Sequence, residues 1–238
     1  MSHQHTYKLI SFNARGSAEH IRYIFAYTGI EYTEERIPEE LWPQYKDSMP
    51  YKKLPVLEVD GKPVAEADDV ARYLARMYDL MGRNERDALI CDELVETLGD
   101  LKQAICYYRM EEDPEKKEAR KNQLLNETIP LYLTKFDQII GENGGYIIPS
   151  ITTWADFVFS AAVEDIEYMF GALDIYPALQ ALQKRIHRIP AISDWLGDHP
   201  TNYKGCPACQ TLYTNRYPKL RAKEDVQIIR NNDRPKAV

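Results

Sequence analysis

Cys206-Pro207-Ala208-Cys209 carries the densest chemistry in this chain of 238 residues. Two thiols at that spacing can cycle as a redox pair or supply half of a tetrahedral zinc site. Zinc needs two further ligands, and only His199 is near in sequence, so no metal site is assigned. Thioredoxin-type redox pairs open the first helix of their fold, and the matching place here holds no cysteine. The pair is read as two thiols in a covering loop. Cys91 and Cys106 stand well apart and make no disulfide scaffold. His3 and His5 read as solvated, with no ligand cluster around them. Two hydroxyls invite another chemistry. Ser11 closes the first apolar run and Ser17 precedes the first helix. From the residues alone each is a loop or capping hydroxyl.

The elements that must position these groups follow from hydrophobic spacing. Tyr7 to Phe12 is apolar-rich and reads as a strand. Ala18, Ile21, Phe25 and Thr28 then recur at helical spacing, with Gly29 as the stop. Tyr32 to Ile37 is a weaker strand, and a loop around Leu41, Trp42 and Pro43 follows. Leu54 to Val64 holds two apolar runs flanking Asp60-Gly61, a hairpin signal because glycine accepts the positive φ of a tight turn. Val70, Tyr73, Leu74 and Met77 mark another helix. That order suits a small α/β sheet with one parallel crossover and one antiparallel hairpin.

From Asn84 onward the periodicity is helical. Ala88 to Tyr108 is one amphipathic run, Asp113 to Arg120 is charged and solvated, and Leu124 to Ile140 is a helix kinked at Pro130. Thr153 and Asp156 form a variant capping box ahead of the apolar stretch Phe157 to Val163, which belongs in the middle of a helical domain. Leu179, Leu182, Ile186 and Ile189 mark a further helix.

Composition excludes several classes. Hydrophobic residues make up 44% and charged residues 28%, so the chain is globular. No run approaches the roughly 20 apolar residues of a membrane span. Met1 to His5 is polar, unlike a signal peptide. The net charge of −7 argues against nucleic acid as a partner. The cytoplasm is the expected location. The average hides a contrast. Residues 204–238 hold 8 Lys/Arg and 3 Asp/Glu, a net of +5; the first 203 hold 22 and 34, a net of −12.

Three motifs carry a family likeness: Tyr7-Lys8-Leu9-x-x-Phe12-Asn13-x-Arg15-Gly16-x-Ala18-Glu19-x-Ile21-Arg22, Lys53-Leu54-Pro55-Val56-Leu57-Glu58-Val59-Asp60-Gly61, and Thr153-Trp154-Ala155-Asp156. In this order and spacing the chain resembles the cytosolic glutathione S-transferases, sigma class, over about residues 6–203. The resemblance implies a thioredoxin-like domain (1–82), an all-helical domain (83–203) and a basic C-terminal extension (204–238). It implies a homodimer and a cis Leu54–Pro55 bond. That bond frees the backbone of Leu54 to pair with the glutathione cysteine as an added strand would.

The site departs from the pattern the resemblance implies. Ser11 stands where the thiolate-stabilising tyrosine is expected, directly before Phe12, and its hydroxyl is several ångströms short. Ser17 replaces an arginine. Glu66-Ala67 replaces a Gln-Ser pair that meets the γ-glutamyl end, so a hydroxyl is lost and an acid gained, with Asp68 and Asp69 beyond it. At about 5 Å and an effective dielectric of about 20, like charges cost roughly 3 kcal/mol. A lost hydrogen bond costs about 1 kcal/mol or more. Together the changes weaken glutathione by about 100-fold or more. Trp42, Lys46 and the nearby Lys53 retain the glycyl end, and Asp100 matches the acid that the partner subunit presents to the γ-glutamyl amine.

The expected function is a divergent transferase homologue with a degraded glutathione site, serving as a binding or structural protein as some S-crystallins do. The alternative is an active transferase using Ser11 or Ser17. No cofactor is expected beyond glutathione as a weak ligand or cosubstrate. Ile105, Tyr107 and Tyr108 are expected to line a second, hydrophobic site suited to a planar apolar molecule. Tyr213, Tyr217, Leu220, Val226, Ile228 and Ile229 are expected to dock the basic extension on the acidic body.

Overall fold

The computed structural model describes residues 5–198 and 228–230. Two compact units divide the chain: residues up to 73 together with those from 194 onward, and residues 74–193.

In the first unit, β1 (Tyr7–Phe12) is followed by α1 (Glu19–Thr28), which stops at Gly29 with φ of 68°. β2 (Thr33–Ile37) returns parallel to β1, pairing Lys8 with Thr33 and Phe12 with Ile37. The stretch around Trp42, expected as a loop, winds into short helical turns: Glu39–Leu41, α2 (Trp42–Tyr45), Lys46–Ser48 and Pro50–Lys52. Segments this short lack the apolar repeat that marks a helix in sequence. β3 (Val56–Val59) and β4 (Lys62–Ala65) form the hairpin. Both Asp60 (φ 51°) and Gly61 (φ 74°) are left-handed, as a two-residue turn matching strand twist requires. The aspartate also holds the chain start: its carboxylate accepts from the Thr6 N–H (2.8 Å) and meets His5 Nδ1 at 2.6 Å. The Thr6 bond and then His5 bring this exposed carboxyl down to about 2.

α3 (Ala67–Met77) follows β4. The sheet order is β4-β3-β1-β2-β5, where β5 is Ile228–Arg230, antiparallel to β2. β1 is central. Leu9 is fully buried on one face, and Ile10 packs with Ile37 and Val56 on the other. The expectation that Ile228 and Ile229 dock on the body is met by this pairing. Tyr213, Tyr217, Leu220, Val226, Cys206, Cys209, His199 and His3 lie outside the described residues.

The second unit is helical. Asn84 caps α4 (Glu85–Met110) through Oδ1, accepting from the Arg86 and Asp87 N–H groups at 3.0 and 3.1 Å. Its buried stripe runs Cys91, Leu94, Val95, Leu98, Leu101, Ile105 and Tyr108, spacings of three and four. α5 (Pro114–Gln123) buries nothing, as its charge foretells. The predicted kinked helix is resolved differently. A π-helical turn, Leu124–Thr128, precedes α6 (Ile129–Glu142), and Pro130 sits in the first turn of α6. The helical backbone is continuous across this point, the Ile129 N–H reaching back to the Leu124 carbonyl, so the proline's missing N–H is absorbed as a π-helical distortion within one helical run.

α7 (Trp154–Phe170) is buried throughout its first ten residues. The Asp156 carboxylate accepts from the Thr153 N–H (2.8 Å) and hydroxyl (2.9 Å) and from the Ile147 N–H (3.3 Å), and it pairs with Arg185. Arg185 also lies 3.9 Å over the Tyr146 ring. α8 (Pro177–His187) buries Leu179, Leu182 and Ile186, and α9 (Pro190–Asp198) ends the described body. Among the described residues, no helix is long and apolar enough to cross a membrane.

Asp156→Ala removes an acceptor with four donors in a fully buried place. Unfolding in urea should show a loss of about 3 kcal/mol at an unchanged denaturant slope. A loss below about 1 kcal/mol would show that the box closes without its acid.

Candidate functional site

The C-terminal end of β1 points Ser11 into the layer between the sheet and α1. What it meets there is a buried cluster of charge. Arg22 on α1 is 0% exposed, and Ser11 is 1% exposed. The Arg22 guanidinium donates from Nε to Glu34 Oε1 (2.8 Å), from Nη1 to Glu19 Oε2 (2.9 Å) and to the Ala14 carbonyl (3.2 Å), and from Nη2 to Ser11 Oγ (2.6 Å). The Ser11 hydroxyl in turn faces the Phe12 carbonyl (3.2 Å) and Glu34 Oε1 (3.3 Å) as acceptors for its own hydrogen. Its hydrogen-bonding capacity is therefore used inside the unit.

The cluster extends on both sides. Arg36 Nε lies 3.1 Å from Glu34 Oε2, an ion pair off the hydrogen-bond direction. Glu19 Oε1 accepts from Trp195 Nε1 (3.1 Å) and lies 3.2 Å from Arg15 Nε. The Trp195 ring also lies under the Arg36 guanidinium, 5.5 Å away. Burial alone would raise the carboxyls of Glu19 and Glu34. Arg22 outweighs it in both, aided by Arg15 for Glu19 and Arg36 for Glu34, and holds them below the ordinary glutamate value.

The remaining site positions of this unit fall into two neighbouring groups. Phe12 meets Trp42 edge-on, with ring centroids 5.2 Å apart. Leu54 packs on the Ile10, Ile37 and Val56 cluster beside Leu41, Tyr45 and Met49. The Leu54–Pro55 bond is cis, and the β1–β3 pairing begins only at Val56, leaving Leu54 beyond the ladder. Lys46 is exposed.

In the second group, Lys53 Nζ lies 3.3 Å from Glu66 Oε1, both side chains more than half exposed. Ala67 opens α3, and its carbonyl lies 3.2 Å from His20 Nε2. His20, buried on α1, also approaches Asp68 at 3.4 Å. This pairing changes the electrostatics expected from sequence. Glu66 is not a bare acid in an apolar pocket. Solvent and Lys53 screen it, so the repulsion it exerts on an anion is well below the roughly 3 kcal/mol of an unscreened contact.

Ser17 differs from Ser11. It is exposed in the turn before α1, where Glu19 N–H bonds back to the Gly16 carbonyl at 2.8 Å. Asp100 is exposed on α4 in the second unit. On the same helix Ile105 and Tyr108 are buried, with Tyr108 against Phe170 (5.9 Å) and under Lys117 (5.8 Å). Tyr107 is 57% exposed. Burial raises the Cys91 thiol to about 11. Among the described residues no group of three or more His, Cys, Asp or Glu could hold a metal.

Sequence reasoning missed Arg22, Glu34, Arg36 and Trp195. Arg22 was only a motif position, and charged residues on a strand such as Glu34 and Arg36 ordinarily signal solvent. The visible signal was an arginine in the middle of an apolar helix face, next to Ile21 and Tyr23.

A thioredoxin-like sheet with a cis-proline ahead of its hairpin, followed by a helical unit, defines a class. Residues 7–76 match the glutathione S-transferase N-terminal domain family, and residues 99–199 match the C-terminal domain family. Mouse hematopoietic prostaglandin D synthase is 38% identical over 195 residues, covering 82% of this chain and 96% of that protein. Glutathione S-transferase S1 of Drosophila melanogaster is 35% identical over 199 residues, covering 83% and 80%. The solved structure of the rat synthase complexed with a quinoline superposes with a TM-score of 0.76 at 37% identity, covering 83% and 99%. The chain belongs to the glutathione S-transferase family, with sigma-class relatives.

Glu34→Gln removes one of the two carboxylates that Arg22 holds ionised. Because their folded values are depressed, their stabilisation is complete above the unfolded glutamate value of about 4.3 and is lost as pH falls below it. Denaturation midpoints should be level from about pH 7 to 5 and fall below about 4.5. The variant should lose about 3 kcal/mol at neutral pH and show a shallower acid fall. An acid limb identical to the parent's would remove the cluster from the account.

Proposed function

We propose that this chain is a sigma-like transferase homologue with a weakened glutathione site, acting as a ligand-binding or structural protein more than as a conjugating enzyme. Ser11 carries the reading. Stabilising a thiolate requires a hydroxyl free to donate to it, and the Ser11 hydroxyl is buried and bonded within the Arg22 cluster. Ala67 supports it independently, since it has no hydroxyl for a carboxylate at the start of α3. The relatives named above are a synthase and a transferase, so the weakening proposed for this chain is assigned to these two positions and not to the fold.

A second reading, an active transferase, is favoured by one observation. Ser17 is exposed at the entry of α1. The serine alternative therefore narrows to Ser17.

Glutathione is proposed as a weak ligand through Trp42, Lys46, Lys53 and the Leu54 backbone. A planar apolar molecule is the proposed second ligand. The rat relative was solved with a quinoline, and Tyr107 offers an exposed ring in this chain. The homodimer is likewise a proposal, supported by kinship. Nothing in the net charge of −7 favours nucleic acid, and the cytoplasm is the proposed location.

Initial-rate assays with an electrophilic nitroarene should give turnover near background. Ser11→Ala should leave that rate unchanged, whereas Ser17→Ala should remove any residue of it. The Glu66→Gln, Ala67→Ser protein, which leaves the buried Ser11 in place, should gain retention on glutathione-agarose. Turnover comparable to ordinary transferases, abolished by either serine substitution, would overturn the reading.

A further inference from the structure

Without β5, the sheet of the first unit would end in two free edges, β4 and β2. β4 protects itself. It reads Lys62-Pro63-Val64-Ala65, and a proline without N–H beside a lysine resists a further strand. β2 reads Thr33-Glu34-Glu35-Arg36-Ile37 and carries no proline or lysine. This is the edge that Ile228–Arg230 covers, pairing Thr33 with Arg230, Glu34 with Ile229 and Glu35 with Ile228. Charge favours the same occupant. Residues 31–40 hold five glutamates and one arginine, whereas residues 204–238 carry a net of +5. The family domains matched by this chain run to residue 199, so the covering strand comes from beyond them.

We propose that the C-terminal extension is an edge cap: Ile228–Arg230 occupies β2 of its own chain and excludes the strand of a second copy. Tethering makes three residues of pairing sufficient, because an intramolecular encounter replaces a concentration-dependent one. The cap also bears on the buried cluster, since β2 supplies Glu34 and Arg36. The role is separate from glutathione chemistry and stands whether or not the site is active.

Ile229→Pro in the full-length chain tests it, since proline removes an N–H and cannot continue the pairing. Alternate amides of β2 face β1, and the Asn13 N–H bond to the Ile37 carbonyl puts Thr33, Glu35 and Ile37 on that side, so hydrogen exchange should accelerate at least tenfold at the Glu34 amide, opposite Ile229. The mass in solution should rise with concentration above that of the unsubstituted protein. Adding Thr33→Lys, a charge on the exposed edge, should return the mass to the parent value while exchange stays fast. Unchanged exchange would overturn the pairing. Faster exchange with no added association would overturn the exclusion of a second strand. A fall in mass would mean that the parent segment pairs between chains, which also overturns the cap as stated.

Discussion

A fully buried guanidinium has to be satisfied on every side, and Arg22 organises the first unit around that requirement. An unpaired arginine in such a place would cost several kcal/mol. Two carboxylates, a carbonyl and a hydroxyl meet it from four segments: Glu19 on its own helix, Glu34 on β2, Ala14 in the loop and Ser11 at the end of β1. Trp195, itself part of the first unit, closes the far side by donating to Glu19. The strand that ends at the site, the helix behind it and β2 are thus held by one ion.

That constraint explains how the site differs from what a list of substitutions suggests. Ser11 is not a shortened catalyst waiting in the pocket; it is one of the ligands of Arg22. Glu66, which sequence alone casts as a strong repulsive charge, is half exposed and paired with Lys53. The weakening of glutathione binding proposed above then rests chiefly on two missing hydroxyl donors and less on added negative charge. Lys53, proposed above to meet glutathione, is itself partly committed to Glu66.

Much of the fold was legible because its signals are local. Gly29, Asp60-Gly61 and the Thr153–Asp156 box each fix a boundary through backbone chemistry that does not depend on distant contacts. The stripe from Cys91 to Tyr108 fixed α4. The short turns around Trp42 were not legible, because four residues cannot express a helical period. The Arg22 cluster was not legible because its members span Ser11 to Trp195, and each charge taken singly reads as surface. Of the site, Phe12 and Trp42 proved to be neighbours, as did Lys53 and Glu66. Their sequence positions named them, but only the fold showed that Glu66 and Lys53 neutralise each other. Tyr108 continues the buried stripe of α4 and packs against Phe170.

Calorimetric titration of the unsubstituted protein with reduced glutathione tests the central claim most directly. With two hydroxyl donors missing, at about 1 to 3 kcal/mol each, affinity should fall to about the millimolar range, giving heats near those of dilution at lower concentrations. A saturable isotherm with a Kd in the low micromolar range would contradict the account, because it would require a thiol and carboxylate site that these residues do not supply.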